Sequence, residues 1–93
     1  MKKYKLKMYV AGDTSESRDE IDKVKKVLRE RVGEDHGFEV IDVQVDPQIA
    51  EEENVLITPL VERKSPAPIK RVVGKLLDEE KFLEGLDLFS KET

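Results

Sequence analysis

Val55-Leu56-Ile57-Thr58-Pro59-Leu60-Val61 is the stretch that decides how this chain folds. Its aliphatic and β-branched residues ask for a strand, yet Pro59 has no N–H for a ladder and belongs at an edge, a strand start or a bulge. The expectation is a strand over about 55–61 with an irregularity at Thr58-Pro59. Beyond it, Ser65-Pro66-Ala67-Pro68 reads as a turn, and Ile69 to Val73 is a second β-branched run that Gly74 ends, so the two runs form a hairpin. Before it, Asp46-Pro47 supplies a cap and a proline at the first helical position, opening a short, weakly apolar helix through Ile49, Ala50 and Glu53.

Working outward, Phe38, Val40, Ile41, Val43 and Val45 predict a strand over 38–45. Ile41 breaks its alternation, so both faces read as partly buried, as in an interior strand. Tyr4, Leu6, Met8 and Val10 recur every second residue, predicting a strand over about 3–11. Ile21, Val24, Val27, Leu28 and Val32 share one helical stripe, for a helix that runs to about Arg31. Thr14 or Ser15 caps it, with Ser17-Arg18-Asp19-Glu20 as an alternative capping box. Val32 to Gly37 reads as a polar turn. Asp78 opens a last helix carrying Phe82, Leu83, Leu86 and Phe89, in which Gly85 costs roughly 1 kcal/mol relative to alanine. The order is βαβ, a short helix, then ββα. A βαβ crossover followed by a hairpin and a covering helix is the plan of the thioredoxin-like α/β fold.

Length and composition agree with one domain over residues 1–93. Leu, Ile, Val and Phe make up 28 of the 93 residues, enough to form a core. Acidic residues outnumber basic ones 21 to 17, and a net charge of −4 argues against nucleic acid as a partner. With no cysteine, thiol redox chemistry, disulfides and Cys-containing metal sites are excluded. The basic N-terminus alternates lysine with apolar residues and is no signal peptide. No run of about 18 apolar residues crosses a membrane. The expected location is the cytoplasm.

Several residues invite a chemical reading. Thr14 and Ser17 stand where a thioredoxin carries its two thiols, but hydroxyls perform no thiol–disulfide exchange, so capping is expected of them. His36, the one histidine, is read in a polar turn with no reason to approach helix one. Glu51-Glu52-Glu53 point about 100 degrees apart on a helix and read as a solvated face. Asp42, an acid in an apolar strand, needs a partner and is read as holding a structural hydrogen bond. Arg63, Lys64, Lys70, Arg71 and Lys75 flank the Pro66-Ala67-Pro68 turn, and a hairpin would gather them into a positive patch. No catalytic residue, metal site or cofactor is expected.

Six segments carry a family resemblance: Leu6 to Thr14, Val40 to Val43, Asp46-Pro47-Gln48-Ile49-Ala50-Glu51-Glu52, Ile57-Thr58-Pro59, Pro66-Ala67-Pro68 and Gly85-Leu86-Asp87-Leu88. In order and spacing the chain resembles the KaiB family of circadian clock proteins. The resemblance implies a non-enzymatic, metamorphic binding module. One arrangement of the C-terminal half self-associates, usually as a homotetramer; the other is a thioredoxin-like monomer that docks on the ATPase ring of KaiC and regulates its phosphorylation cycle. KaiA and clock histidine kinases are further implied partners. Partner-binding positions would be Arg63, Lys70, Arg71 and Asn54, the last replacing a lysine of clock members, and reversing Arg63 and Arg71 to glutamate is expected to abolish docking with the fold intact.

The fold switch would involve Pro59, Pro66, Ala67, Pro68, Gly85 and Asp87. An X-Pro bond reaches cis at only about 0.5 to 1 kcal/mol, and Thr58-Pro59 is expected to be cis in the thioredoxin-like state. Clock members usually have three successive prolines where this chain has Pro66-Ala67-Pro68, and an apolar residue in place of Ser65. Both departures favour the thioredoxin-like state. Alternatives are a paralogue outside the clock acting as a stress or signalling adaptor, the sensor domain of a histidine kinase, and a thioredoxin-fold enzyme. A sensor domain would precede a kinase transmitter, whereas the chain ends at Thr93.

Overall fold

The alternation at the N-terminus builds the centre of the sheet. In the computed structural model, which describes residues 3–88, Tyr4, Leu6, Met8 and Val10 of β1 (Tyr4–Val10) are buried on one face, and Tyr9 is buried on the other. β1 pairs in parallel with β2 (His36–Asp42) and antiparallel with β3 (Leu60–Ser65), which pairs antiparallel with β4 (Lys70–Val73). The sheet order is β2-β1-β3-β4. Helix α1 (Ser15–Val27) makes the crossover between β1 and β2 and continues as a wide π-helical turn, Leu28–Val32, that Gly33 closes at φ 91°.

Two cores sit on opposite faces of this sheet. Val24, Val27, Leu28 and Val32 join β1 on the first face. Phe82, Leu83 and Leu86 from α3 (Glu79–Gly85) and its C-terminal cap complete it. Burying one such side chain is worth roughly 1.5–3 kcal/mol, so this face carries most of the stability. The second face has a smaller cluster, Tyr9, Ile41, Val55 and Leu60, with Ile49 and Ala50 of α2 (Pro47–Glu52) packed on it.

Three boundaries differ from expectation. β2 is an edge strand, not an interior one, and it ends at Asp42 instead of Val45. The Asp42 carbonyl takes the N–H groups of Val45 and Asp46 at 3.1 and 3.0 Å, so the chain turns away from the sheet and leaves Val45 72% exposed. Because β2 lies at the edge, Glu39 and Val40 also reach solvent. His36 is the first residue of β2 and not part of the turn.

The third strand starts after Pro59 and runs on to Ser65. Residues 55–59 lie outside the ladder: Val55 is buried, but Leu56 is 90% exposed. The Pro59 carbonyl accepts from Gly74 N–H at 2.8 Å, so the proline closes the far end of the hairpin. Charged Glu62 and Arg63 hid the second half of this strand from a hydrophobicity reading. The Thr58-Pro59 peptide is cis, as expected, and so are Ser65-Pro66 and Ala67-Pro68. Phe89, expected on the last helix, lies outside the described residues.

Candidate functional site

At the end of the sheet where β1 finishes, the helix-one hydroxyls act as caps. Thr14 Oγ1 accepts the Ser17 N–H at 3.0 Å, and its own hydroxyl donates to Ser17 Oγ at 3.1 Å. The alternative capping box is not used: Glu20 is buried, and its carboxylate accepts the Leu76 N–H at 3.1 Å, tying α1 to the segment before α3. Asp42 holds the neighbouring loop. Its Oδ1 accepts from Gly12 and Gln44 N–H, both at 2.9 Å, and at Gly12 (φ 88°) an added Cβ would stand 2.8 Å from Gln44 Oε1.

A groove of about 300 Å³ opens here between Thr14, Ser17, Ala11 and Pro59. His36 stands at the opposite end of the sheet, across from Tyr4, and the ionisable side chains beside the groove hydroxyls are Glu16, Glu20 and Lys75. Among the described residues, no three His, Asp or Glu side chains gather to hold a metal.

The hairpin separates the basic residues that its sequence promised to gather. Cross-strand pairs are Glu62 with Arg71 and Arg63 with Lys70, so Arg63 and Arg71 point to opposite faces. Arg63 is 2% exposed: its Nε donates to the Leu86 carbonyl at 2.6 Å and its Nη1 to the Pro66 carbonyl. It is a structural guanidinium that binds the end of α3 to the hairpin turn, so it offers no surface to a partner in this state. Its reversal to glutamate should therefore destabilise the fold, so loss of docking in that variant would not by itself report a surface contact.

Arg71 is bound as tightly on the other face. Nε donates to Glu62 Oε2 at 2.8 Å, and the remaining guanidinium N–H groups donate to the carbonyls of Glu53 and Asn54. Lys64 binds Glu53 Oε1 at 2.5 Å and lies 3.9 Å from Glu62. The solvated face expected for residues 51–53 therefore holds for Glu51 and Glu52 but not for Glu53. The hydrogen bond and the charge of Lys64 hold the Glu53 carboxyl below its usual range, and the same hydrogen bond raises the Lys64 ammonium above its own. Lys75 reaches Glu16 at 3.3 Å. Of the five basic residues, Lys70 alone makes no ion pair or side-chain hydrogen bond among the described residues, and it is exposed.

Sequence reasoning missed Glu62. It is 1% exposed and sits between Arg71 and Lys64, with one carboxylate oxygen lacking a hydrogen bond. The signal was the hairpin itself, since closing on Pro66-Ala67 puts residue 62 opposite residue 71. Next to it Tyr9 is fully buried with its hydroxyl unpartnered; burial first, then the Glu62 charge, push its pKa up to about 12.

Asn54 and Asp87 share one backbone role. Each follows a helix with positive φ, 55° and 52°. After α2, Asn54 N–H donates to Glu51 O and Val55 N–H to Ala50 O; after α3, Asp87 N–H donates to Glu84 O and Leu88 N–H to Leu83 O. Both are Schellman caps, in which the left-handed position favours Gly or Asn. Asn54 is one of the two residue types that this position favours. Asp87 lies one residue beyond the Leu86 cap of the helix. Gly85 is set by contact, since a Cβ there would stand 2.6 Å from a Val72 methyl. Pro66, Ala67 and Pro68 form the exposed hairpin tip.

A thioredoxin-like sheet with helix-capping hydroxyls of Thr14 and Ser17 at the start of α1, and a hairpin dressed with charge, defines a thioredoxin-fold module. A solved thioredoxin from Halobacterium salinarum has the same fold, with a TM-score of 0.70 and 17% identity, covering 99% of this chain and 79% of that one. So does the N-terminal domain of Synechococcus elongatus SasA, at 0.69 and 20%, covering 80% and 70%.

The chain belongs to the KaiB family: the KaiB domain model matches residues 7–88. The circadian clock oscillator protein KaiB of Microcystis aeruginosa is 42% identical over 98% of this chain and 88% of that protein, and that of Trichodesmium erythraeum is 41% identical over the same shares. No helix among the described residues is long and apolar enough to cross a membrane.

Proposed function

We propose that this chain is a non-catalytic clock component that docks, in its thioredoxin-like state, on a KaiC-type ATPase ring and modulates the ring's phosphorylation cycle and output partners. The observation that carries this reading is the combination of KaiB membership with a thioredoxin-like arrangement of the C-terminal half. Docking runs through the β3–β4 hairpin, where Lys70 is exposed and uncommitted, while Arg71 and Asn54 shape the adjoining surface. An acidic patch on the ring would be steered to this hairpin by charge. Pro59, the Pro66-Ala67-Pro68 tip, Gly85 and Asp87 mark the segment that rearranges between the two states. KaiA-type proteins and clock histidine kinases are the further partners, and the thioredoxin-like state acts as a monomer in the cytoplasm.

The test is co-elution with a purified KaiC ring in size-exclusion chromatography. Lys70→Glu is expected to weaken co-elution at least ten-fold, a cost of about 1.4 kcal/mol, with an unchanged amide spectrum elsewhere. Unaltered binding by that variant would remove the hairpin from the docking surface, and no co-elution of the unsubstituted chain would remove the clock reading.

A further inference from the structure

We propose that the uncovered end of the α2 face of the sheet is a separate docking surface for an acidic segment of a partner protein. Helix α2 has six residues, and its Ile49 and Ala50 pack on the cluster of Tyr9, Ile41, Val55 and Leu60. At the other end, Lys5 and Lys7 rise from β1 on the same side as Tyr9, next to Gly37 and Glu39 of β2. A hollow of about 480 Å³ lies there, lined by Lys5, Lys7, Gly37, Glu39 and Lys64.

Its floor is open at Gly37, where an added Cβ would meet nothing within 4 Å. On the β3 side the register shifts, so that Lys5 faces Ser65 and Leu6 faces Arg63, and Lys64 is the extra residue of a bulge at the rim.

The charges facing the hollow come from four strands and one helix end. Lys64 matches Glu53 at 2.5 Å, and Arg71 of β4 matches Glu62 at 2.8 Å. Lys5 and Lys7 make no ion pair among the described residues; Lys7 stands between Glu39 of β2 and Glu62 of β3 and its charge also reaches Glu53, whereas the hollow itself is lined by Lys5, Lys7 and Lys64 against one acid, Glu39. The hollow thus keeps positive charge in a chain whose net charge is −4. Strand lysines commonly guard sheet edges, but β1 is central and has no edge to guard. Lys5 and Lys7, two residues apart, project about 7 Å from each other. That spacing fits alternate carboxylates of an extended acidic segment, drawn in by complementary charge. Lys70 points to the opposite face, so this surface does not rest on the hairpin reading.

The test is an amide NMR titration of the chain at low salt with the octapeptide acetyl-(Glu)8-amide, and separately with pyrophosphate. The expected result is saturable shifts at Lys5, Gly37 and Lys64 with Lys70 unmoved. Affinity should fall at least ten-fold in the Lys5→Glu, Lys7→Glu double variant and fall measurably in the milder Lys5→Gln, Lys7→Gln pair. Shifts centred on Lys70, no saturable shift, peptide affinity unaltered in the folded Gln pair, or binding of pyrophosphate without the peptide would each overturn the proposal.

Discussion

Arg63 is a charge placed inside a small protein, and what surrounds it sets the cost of changing it. Its guanidinium holds two carbonyls, Leu86 and Pro66, at 2% exposure. Arg63→Glu puts an anion against both acceptors and should cost about 3–5 kcal/mol, a large share of the roughly 5–14 kcal/mol available to a domain of this length. Urea unfolding measures this, and a near-unchanged midpoint would contradict the buried role.

Tyr9 predicts the opposite sign. Its buried hydroxyl lacks a partner, so Tyr9→Phe should stabilise by about 1 kcal/mol. A tyrosine whose folded pKa is raised from 10.0 to about 12 contributes stability that is whole below pH 10 and lost as pH rises towards 12. The phenylalanine variant should therefore resist alkaline unfolding better than the parent across that window. Equal alkaline midpoints would contradict this.

At the scale of elements, caps and ion pairs join the two halves of the chain. Asp87 holds the left-handed position after α3, and its negative charge opposes the helix dipole there. Asp87→Gly should raise the stability of the thioredoxin-like state by about 1 kcal/mol, a melting shift of about 4–8 °C for a domain of this size. Calorimetry checks it, and a fall in the melting temperature would refute the cap.

Between α2 and β3, the Glu53–Lys64 pair has both pKa values displaced: the carboxyl down, the ammonium up. The carboxyl's contribution is present above its unfolded pKa and lost as pH falls through the folded one; the ammonium's is present below its own unfolded pKa and lost as pH rises through the folded one. Glu53→Gln should flatten the acid limb of the stability profile, measured by urea midpoints between about pH 3 and 6. An acid limb identical to the parent's would show that the pair contributes nothing.

For the whole molecule, the two faces of the sheet divide the work. The α1–α3 face contains the larger apolar core, whereas the α2 face combines a small cluster with Glu53, Glu62, Lys64 and Arg71. An arrangement that relies on ionic contacts between α2 and the hairpin responds to salt, because exposed pairs are screened. The proposed reading expects the chain to sediment as a monomer at micromolar concentration, and a tetramer would contradict it.

Strand periodicity in β1, the helical stripe of α1 and the Thr14 cap were legible because each depends on residues close in the chain. So were the absence of thiol chemistry and the KaiB pattern, which are matters of composition and order. What only the tertiary structure decided was where charges go. Hydrophobicity treats Glu62, Arg63 and Arg71 as surface, yet hairpin register buries the first two and spends the third on α2. Likewise β2 became an edge because nothing local tells a strand how many neighbours it will have. Local sequence specifies backbone preference and the apolar face; the partner of a charged side chain is set by pairing across the sheet, which only the closed fold establishes.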